Sequence, residues 1–342
     1  MQTRSRTSPA QTSSPWLEEV EAWLWNRRVF RMVPDLELPE VPSGVVAGPA
    51  PDAPRVSFVG FPSDYSLALL LALLRCPIRL VGLATSLGAN PAIAGRNALS
   101  QVADHLRVPL LRLARVNDYD SLAALRRLRA DLMVVASFDQ ILHERALAIP
   151  ELGWINVHPS LLPRYRGPEP VYWAIVKGER ETGISFQRLA RDIDAGPLLL
   201  QLRTEIDPGD TAGTLTKRLV KLGVGAMAQA VALAVQGEAG TPMDLSQGSY
   251  FTSVGHRRID QAPTAELAER LVRAGNPNML AATACAGRVC YVEQVRRLGP
   301  SDPAPGPRLN FPDGDLLLER TVDQCGCHHG EPVGSCPHDE DA

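Results

Sequence analysis

Val56-Ser57-Phe58-Val59-Gly60 opens a stretch, ending at Ala136, in which short apolar runs alternate with helical patterns. The first run has a glycine exit, the mark of a buried strand followed by a turn. Ser66 to Leu74 is a strongly apolar helix and Ile78 to Ala84 a second strand. Asn97 to Leu106 reads as a helix, Val108 to Leu113 as a short strand, Tyr119 to Arg129 as a helix and Asp131 to Ala136 as a fully apolar strand. Strands separated by helices at this spacing need right-handed crossovers, which gives an α/β fold with a doubly wound, mostly parallel sheet. Ligands bind beyond the carboxyl ends of such strands. Gly60 to Asp64, Ser137 to His143 and the segment after Ile155-Asn156-Val157 are therefore expected to converge on one site.

Outward from this stretch the pattern changes twice. Thr211 to Val235 is one long helical pattern that closes the first domain, and Gly237 to Gln247 is a connector. Beyond Thr252 a smaller mixed domain follows, possessing one helix (Thr264 to Ala274) and strands near Ala281–Ala284, Arg288–Val295 and Leu316–Val322, with an irregular loop at Pro300 to Pro307. On the other side, Ser14-Pro15 can start a helix. Trp16, Leu17, Val20, Trp23, Leu24 and Arg27 fall on its one stripe, a face suited to docking on the body of the protein. The organisation expected is an N-terminal extension and Pro-rich linker at 1–54, a catalytic domain at 55–240, a small domain at 241–322 and a Cys/His-containing tail at 323–342.

Composition narrows the function. A chain of 342 residues suggests two domains. With 45% hydrophobic and 21% charged residues, neither a disordered chain nor a fibrous repeat is compatible. A formal charge of −3 disfavours nucleic-acid binding as the main task. No apolar run reaches the ~20 residues of a membrane span, and no apolar signal-peptide core lies near the start. Cys325, Cys327 and Cys336 cluster in the tail, unlike a disulfide framework. The chain reads as cytoplasmic. Cys325, Cys327, His328, His329, Cys336 and His338 are soft ligands, but Cys-x-Cys is tighter than common structural zinc spacing, and no metal site is assigned.

The chemistry concentrates in Asn156-Val157-His158-Pro159-Ser160-Leu161-Leu162-Pro163-Arg164-Tyr165-Arg166-Gly167. Asn156 and His158 are two apart, so on an extended segment they point the same way. A carboxamide beside an imidazole can hold one carbonyl oxygen. Leu161-Leu162 is an apolar pair suited to pack under a flat ligand. A second loop, Arg191-Asp192-Ile193-Asp194-Ala195-Gly196-Pro197, carries two acids, one of which can reach and orient His158.

These motifs resemble the folate-dependent formyltransferases, whose signature is Asn-x-His-x-Ser-Leu-Leu-Pro, an aromatic, Arg-Gly and a later Asp-x-Gly. Asn156, His158, Ser160 to Pro163, Tyr165-Arg166-Gly167 and Asp194-Ala195-Gly196 match it, and Thr182-Gly183-Ile184 matches a strand entry. Ile259-Asp260, Leu267, Arg273-Ala274 and Asn276-Pro277 echo the second domain of the tRNA-directed members, which resembles an oligonucleotide-binding barrel. The resemblance implies transfer of the formyl group of 10-formyltetrahydrofolate to a primary amine. It makes Asn156, His158 and Asp194 catalytic, and assigns folate to Phe138, Gln140, Ile141 and Leu142, largely through backbone groups, and to Ser160, Leu161, Leu162 and Pro163.

The acceptor is less legible. Ser86 to Arg96, where tRNA-directed members carry a basic loop, holds one basic residue, and no basic run lies in the matched region. Gln261 replaces a frequent tryptophan, and Asp139 stands in the folate loop where many relatives are uncharged. Phosphate contacts dominate nucleic-acid affinity, so the expected acceptor is a small amine, an amino sugar or amino acid derivative, with initiator tRNA as the alternative. A hydrolase releasing formate from the same folate, and a non-catalytic binding protein, are the other classes considered. Residues 1–54 are short and Pro-rich for a hydrolase's regulatory domain, and the intact Asn156/His158/Asp194 set argues against an idle site.

Overall fold

The computed structural model describes residues 14–31, 38, 52–87, 95–253, 257–285, 288–299 and 302–322. The Cys/His tail and most of the Ser86 to Arg96 loop lie outside them. The first sheet has seven strands: β1 (Arg55–Gly60), β2 (Arg79–Ser86), β3 (Leu110–Leu113), β4 (Leu132–Ala136), β5 (Trp154–His158), β6 (Glu181–Arg188) and β7 (Leu198–Glu205), in the order β3-β2-β1-β4-β5-β6-β7. The pairs among β1 to β5 are parallel. β6 and β7 run antiparallel, so the doubly wound half is continued by a hairpin.

The helices take their starts from side-chain caps. Ser63 caps α2 (Asp64–Leu74) and Asn97 caps α3 (Ala98–Leu106) in a reciprocal box with Ser100. α4 (Tyr119–Arg127) and the short α5 (Glu144–Leu147) flank β4. Thr211 and Thr214 form a second box at the head of α7 (Ala212–Val235), which follows α6 (Pro170–Val176). α7 is, among the described residues, long and apolar enough to cross a membrane by length and composition. Here its apolar face, with Leu215, Leu219, Val220, Met227 and Val231, is buried, and it packs on α2, β6 and β7.

The small domain is a four-stranded antiparallel sheet, β8 (Ala281–Cys285), β9 (Arg288–Leu298), β10 (Arg308–Phe311) and β11 (Gly314–Val322), in the order β10-β11-β9-β8. α8 (Ala265–Gly275), capped by Thr264, lies against it. Leu271, Val272, Val292 and Leu316 share one core with Val171 and Ile175 of α6 and Leu215 and Leu219 of α7, so apolar burial joins the two units. Among the elements absent from the sequence expectations are α5, α6 and β10. α6 begins at Pro170, a position suited to the first helical turn. β10 is a short strand joined to β11 by the two-residue turn Pro312-Asp313, a hairpin hidden behind the irregular Pro300 to Pro307 loop.

The N-terminal helix α1 (Pro15–Asn26) docks as its stripe requires, with Trp16, Leu17, Val20 and Leu24 buried and part of the main core. Trp23 is only partly buried. Ser14 stands at the N-cap position but makes no cap bond; its hydroxyl is 2.8 Å from His105 Nε2 on α3 instead. The His105 ring also lies 4.5 Å from that of Trp16. Burial holds the His105 imidazole below its ordinary range. The unfolded chain then binds the extra proton, so this contact contributes fully above about pH 6.5 and is lost as pH falls toward the folded value. Backbone hydrogen exchange across Pro15–Asn26 is expected to accelerate on acidification through that window. His105→Gln should remove the step, and an unchanged pH profile in that variant would refute the link.

Candidate active site

The carboxyl ends of β1, β4 and β5 open into one cavity of about 470 Å³, a size suited to a small ligand. Phe61 and Tyr65, Ser137 to Leu142, and Asn156 to Pro159 line it, so the three expected segments do converge. Its far wall comes from elsewhere: Gly167 to Val171, Ala212 and Thr216 at the head of α7, and Ala274, Gly275, Asn278 and Met279 from the small domain. Both units therefore shape the site.

β5 delivers Asn156 and His158 to the cavity on one face, as alternation requires. The antiparallel register sets Gln187 of β6 opposite Asn156 and Ser185 opposite His158. The β6–β7 loop then folds back over β5. Its close return depends on Gly196, where any Cβ would lie 1.9 Å from the Arg188 carbonyl oxygen. That return brings Asp194, at φ 49°, into the site. Of the six non-glycine residues with positive φ among the described ones, Ser137, Tyr165, Glu169 and Asp194 lie at or beside the cavity, strain that the surrounding packing must hold.

Asp194 is buried and fully engaged. Its Oδ1 accepts from Asn156 Nδ2 (3.2 Å) and Gln187 Nε2 (2.7 Å). Its Oδ2 accepts from the Gly167 amide (2.9 Å) and lies 3.5 Å from His158 Nδ1. His158 Nε2 lies 2.8 Å from the Tyr165 carbonyl oxygen, which can only accept, so that nitrogen carries a proton. Nδ1 is the position that faces the carboxylate. Asn156 keeps one amide hydrogen beyond the bond to Asp194. Between the two, the Val157 carbonyl accepts from Tyr65 Oη (2.7 Å). Burial, with the Asp194 charge adding to it, holds the Tyr65 phenol above its ordinary range, so Tyr65 is a fixed donor. Asp192, the other acid of the loop, is exposed at the rim.

The folate-loop residues are cavity residues. Phe138, Gln140, Ile141 and Leu142 all line it. Gln140's side chain is turned inward to brace the loop: Nε2 donates to Ser86 Oγ (2.8 Å) and the Leu113 carbonyl (3.1 Å), and Oε1 accepts from the Val116 amide (2.6 Å). This leaves recognition at Gln140 to its backbone. Ile141 is 54% exposed whereas Leu142 is buried in the core behind the loop. Ile141→Asp is therefore the informative substitution. It should weaken folate binding about tenfold, the worth of one well-covered apolar side chain, with the melting temperature unchanged. Equal folate affinity, read by fluorescence titration, would place the ligand elsewhere.

Ser160, Leu161, Leu162 and Pro163 do not line the cavity, contrary to the expectation for them. Ser160 Oγ donates to the Arg164 carbonyl (2.8 Å), and Ser185 Oγ donates to the Ser160 carbonyl (2.6 Å). The Leu162 amide donates to Ser185 Oγ (3.3 Å) and its carbonyl accepts from Gln201 Nε2 (2.9 Å). Leu161 is buried against β6, filling the space that Gly183 leaves; a Cβ there would lie 2.4 Å from Leu161 Cδ2. Leu161 is consumed by the antiparallel hairpin, and the segment brings the Tyr165 carbonyl to His158 and the Gly167 amide to Asp194. Gln187 and Tyr65 are site residues that sequence patterns missed. Strand pairing of β6 with β5 is the signal that finds Gln187.

Acids dominate the lining. Asp139, Asp192 and Asp194 outnumber a single guanidinium, Arg191, a field that draws an ammonium-bearing acceptor inward. Among the described residues no group of His, Cys, Asp or Glu side chains is arranged to hold a metal.

Residues 90–231 match the formyl transferase family model. The methionyl-tRNA formyltransferase of Pseudomonas syringae pv. tomato is 37% identical over 230 residues, 65% of this chain and 73% of its own. That of Pseudomonas putida strain W619 is 34% identical over 271 residues, 77% of this chain and 86% of its own. A sugar N-formyltransferase from Shewanella sp FDAARGOS_354 has the same fold, with a TM-score of 0.56 and 19% identity over 72% of this chain and 99% of that one. Identity at this level over most of a relative's length, with Asn156, His158, Gly167 and Asp194 of the signature lining one cavity, makes the chain a member of the folate-dependent formyltransferases, enzymes that draw the formyl group from 10-formyltetrahydrofolate.

Proposed function

We infer that this enzyme formylates the amino group of methionine carried on tRNA, with Asn156, His158 and Asp194 as its catalytic residues. What supports this acceptor over the small amine expected from the sequence is the extent of the likeness to the methionyl-tRNA enzymes, which spans 86% of one of them. The sugar-directed neighbour, at 19% identity, supports the fold and nothing finer. The cavity wall built from Ala274, Gly275, Asn278 and Met279 gives the small domain a place beside the acceptor.

The cavity fits the folate: the braced Phe138 to Leu142 loop offers backbone groups and apolar side chains to a flat ring at one end, and the triad lies in the same space. When bound, 10-formyltetrahydrofolate would supply the formyl carbon: the new bond to the amine is balanced by cleavage of that carbon's bond to folate N10, which takes up the proton the amine gives and leaves as tetrahydrofolate. Asn156, one amide hydrogen engaged by Asp194, would have its other to meet negative charge developing on the formyl oxygen. His158, its Nε2 held by the Tyr165 carbonyl and its Nδ1 facing Asp194, would lie beside that oxygen. Asp194 sets both side chains, accepting from Asn156 and facing His158 Nδ1. Tyr65 holds the backbone between them. The deciding experiment is incubation with 10-formyltetrahydrofolate and either methionyl-tRNA or a panel of amino sugars and amino acid derivatives, read by mass of the formylated product. Turnover of a small amine with none of methionyl-tRNA would replace the acceptor assigned.

A further inference from the structure

A second cavity, of about 710 Å³, lies between the end of α1 and the head of α7, and its charges are not used by the triad. Arg28, Lys217, Arg218 and Lys221 line it, with Trp25 as one wall and no carboxylate among the lining residues. The chain holds 35 basic residues, of which only Lys177, Lys217 and Lys221 are lysines, and two of these three meet here.

The four cations are not equivalent. Arg218 is neutralised by Asp207 (2.6 Å) and Asp210 (2.8 Å). Lys217 is fixed in place, donating to the Trp25 carbonyl (2.9 Å) and the Arg27 carbonyl (2.5 Å), which leaves one of its three hydrogens. Arg28 and Lys221 are exposed and, among the described residues, form no ion pair. Lys217 and Lys221 are one turn apart, roughly 5–6 Å between their Cβ atoms. Both lysines line the same cavity, so an anion bound there meets both charges.

The position says what kind of anion. Ala212 and Thr216 of α7 line the formyl-transfer cavity, while Thr214, Lys217 and Lys221 line the basic one. The two sites thus lie on opposite sides of the same helical turns, separated by about a helix diameter, ~10–12 Å. A small amine fills one site only. A polynucleotide whose end is in the first can place backbone phosphates in the second. We propose that Arg28, Lys217 and Lys221 form a phosphate-binding contact for the nucleic-acid part of the acceptor, a contact that exists only because α1 is docked. This deepens, and rests on, the assignment of a tRNA-borne acceptor.

The test is the double variant Arg28→Ser/Lys221→Ser of the full chain, assayed on methionyl initiator tRNA across a salt series. KM for the tRNA should rise about tenfold at low salt, with kcat and folate affinity unchanged. The slope of log(kcat/KM) against log[salt] should flatten by about 1.5, at ~0.7–0.9 per lost phosphate contact. Arg28→Lys/Lys221→Arg should restore both, which a purely structural role for these exposed side chains would not require. Unchanged KM and slope in the serine variant would overturn the proposal while leaving the acceptor assignment standing. If the parent does not formylate methionyl-tRNA, the acceptor assignment fails, and direct titration with uncharged tRNA still decides the site. Tighter, salt-dependent binding by the parent than by the double variant supports the phosphate contact; equal binding overturns it. Inorganic phosphate forms the last arm. Saturation by millimolar phosphate, lost in the double variant, without any effect of that variant on tRNA, would make this a free-phosphate site and overturn the nucleic-acid assignment.

Discussion

Asp194→Asn is expected to lower kcat by about 10³-fold, within the range that positioned proton-transfer and oxyanion groups contribute, while folate affinity and the melting temperature stay close to the parent's. Every neighbour of the carboxylate is a donor or a ring facing it: Asn156 and Gln187 at Oδ1, the Gly167 amide and His158 at Oδ2. The amide can keep its oxygen toward Gly167 and turn its NH₂ toward Asn156 and Gln187. Gln187 can accommodate it by rotating its own amide, since its Oε1 is buried with no hydrogen-bond partner. The fold therefore tolerates the change. What is lost is the negative charge that faces His158 and the fixed acceptor that aims Asn156. Single-turnover kinetics on saturating folate isolates the step, and a kcat within tenfold of the parent's would remove Asp194 from the proposed catalytic set.

The legible parts of this molecule were those encoded by local pattern. The alternation from Val56 to Ala136 carries the parallel half of the sheet, and the caps Asn97, Thr211 and Thr264 mark helix starts within a residue. Asp194 was separable from Asp192 by the following Ala195-Gly196, and the structure gives the reason: only a glycine at 196 lets the loop pass the Arg188 carbonyl. What stayed hidden depends on pairing across the chain. Leu161-Leu162 looks like a ligand platform until β6 is placed against it, with Gly183 as the gap that Leu161 fills. Gln187 becomes a site residue only through the register with Asn156. The expected small-amine acceptor rests on the missing basic run, whereas Arg28 and Lys217 line one cavity across a separation that no run can show.

The same distance effect makes Asp64 the second position where a large response is expected, because it ties the N-terminal segment to the catalytic wall. Its side chain is fully buried; Oδ2 accepts from the Arg31 amide (2.7 Å) and Arg27 Nε (3.1 Å), and its own amide donates to the Arg31 carbonyl (3.1 Å). The next residue is Tyr65, the donor to Val157 between Asn156 and His158. Asp64→Ala leaves the Arg31 amide and the Arg27 guanidinium without their acceptor, at a cost of about 2–3 kcal/mol. A shift at Tyr65 should also lower kcat about tenfold or more, since small misplacements of reacting groups are expensive. Asp64→Asn should behave differently. Burial outweighs the Arg31 and Arg27 contacts and holds this carboxyl above its ordinary range. The native state thus binds the extra proton: the contribution from Asp64 is full below the unfolded pKa of about 3.9 and is lost as pH rises through the folded value. An uncharged amide keeps an acceptor for Arg31 without that desolvation, so its cost at neutral pH should stay under about 1 kcal/mol, and its stability should lack the acidic-range slope of the parent. Chemical denaturation of the three proteins between pH 4 and pH 7 reads both effects. If the alanine and asparagine variants lose stability and kcat equally, the acceptor function of Asp64 does not connect the N-terminal segment to the site.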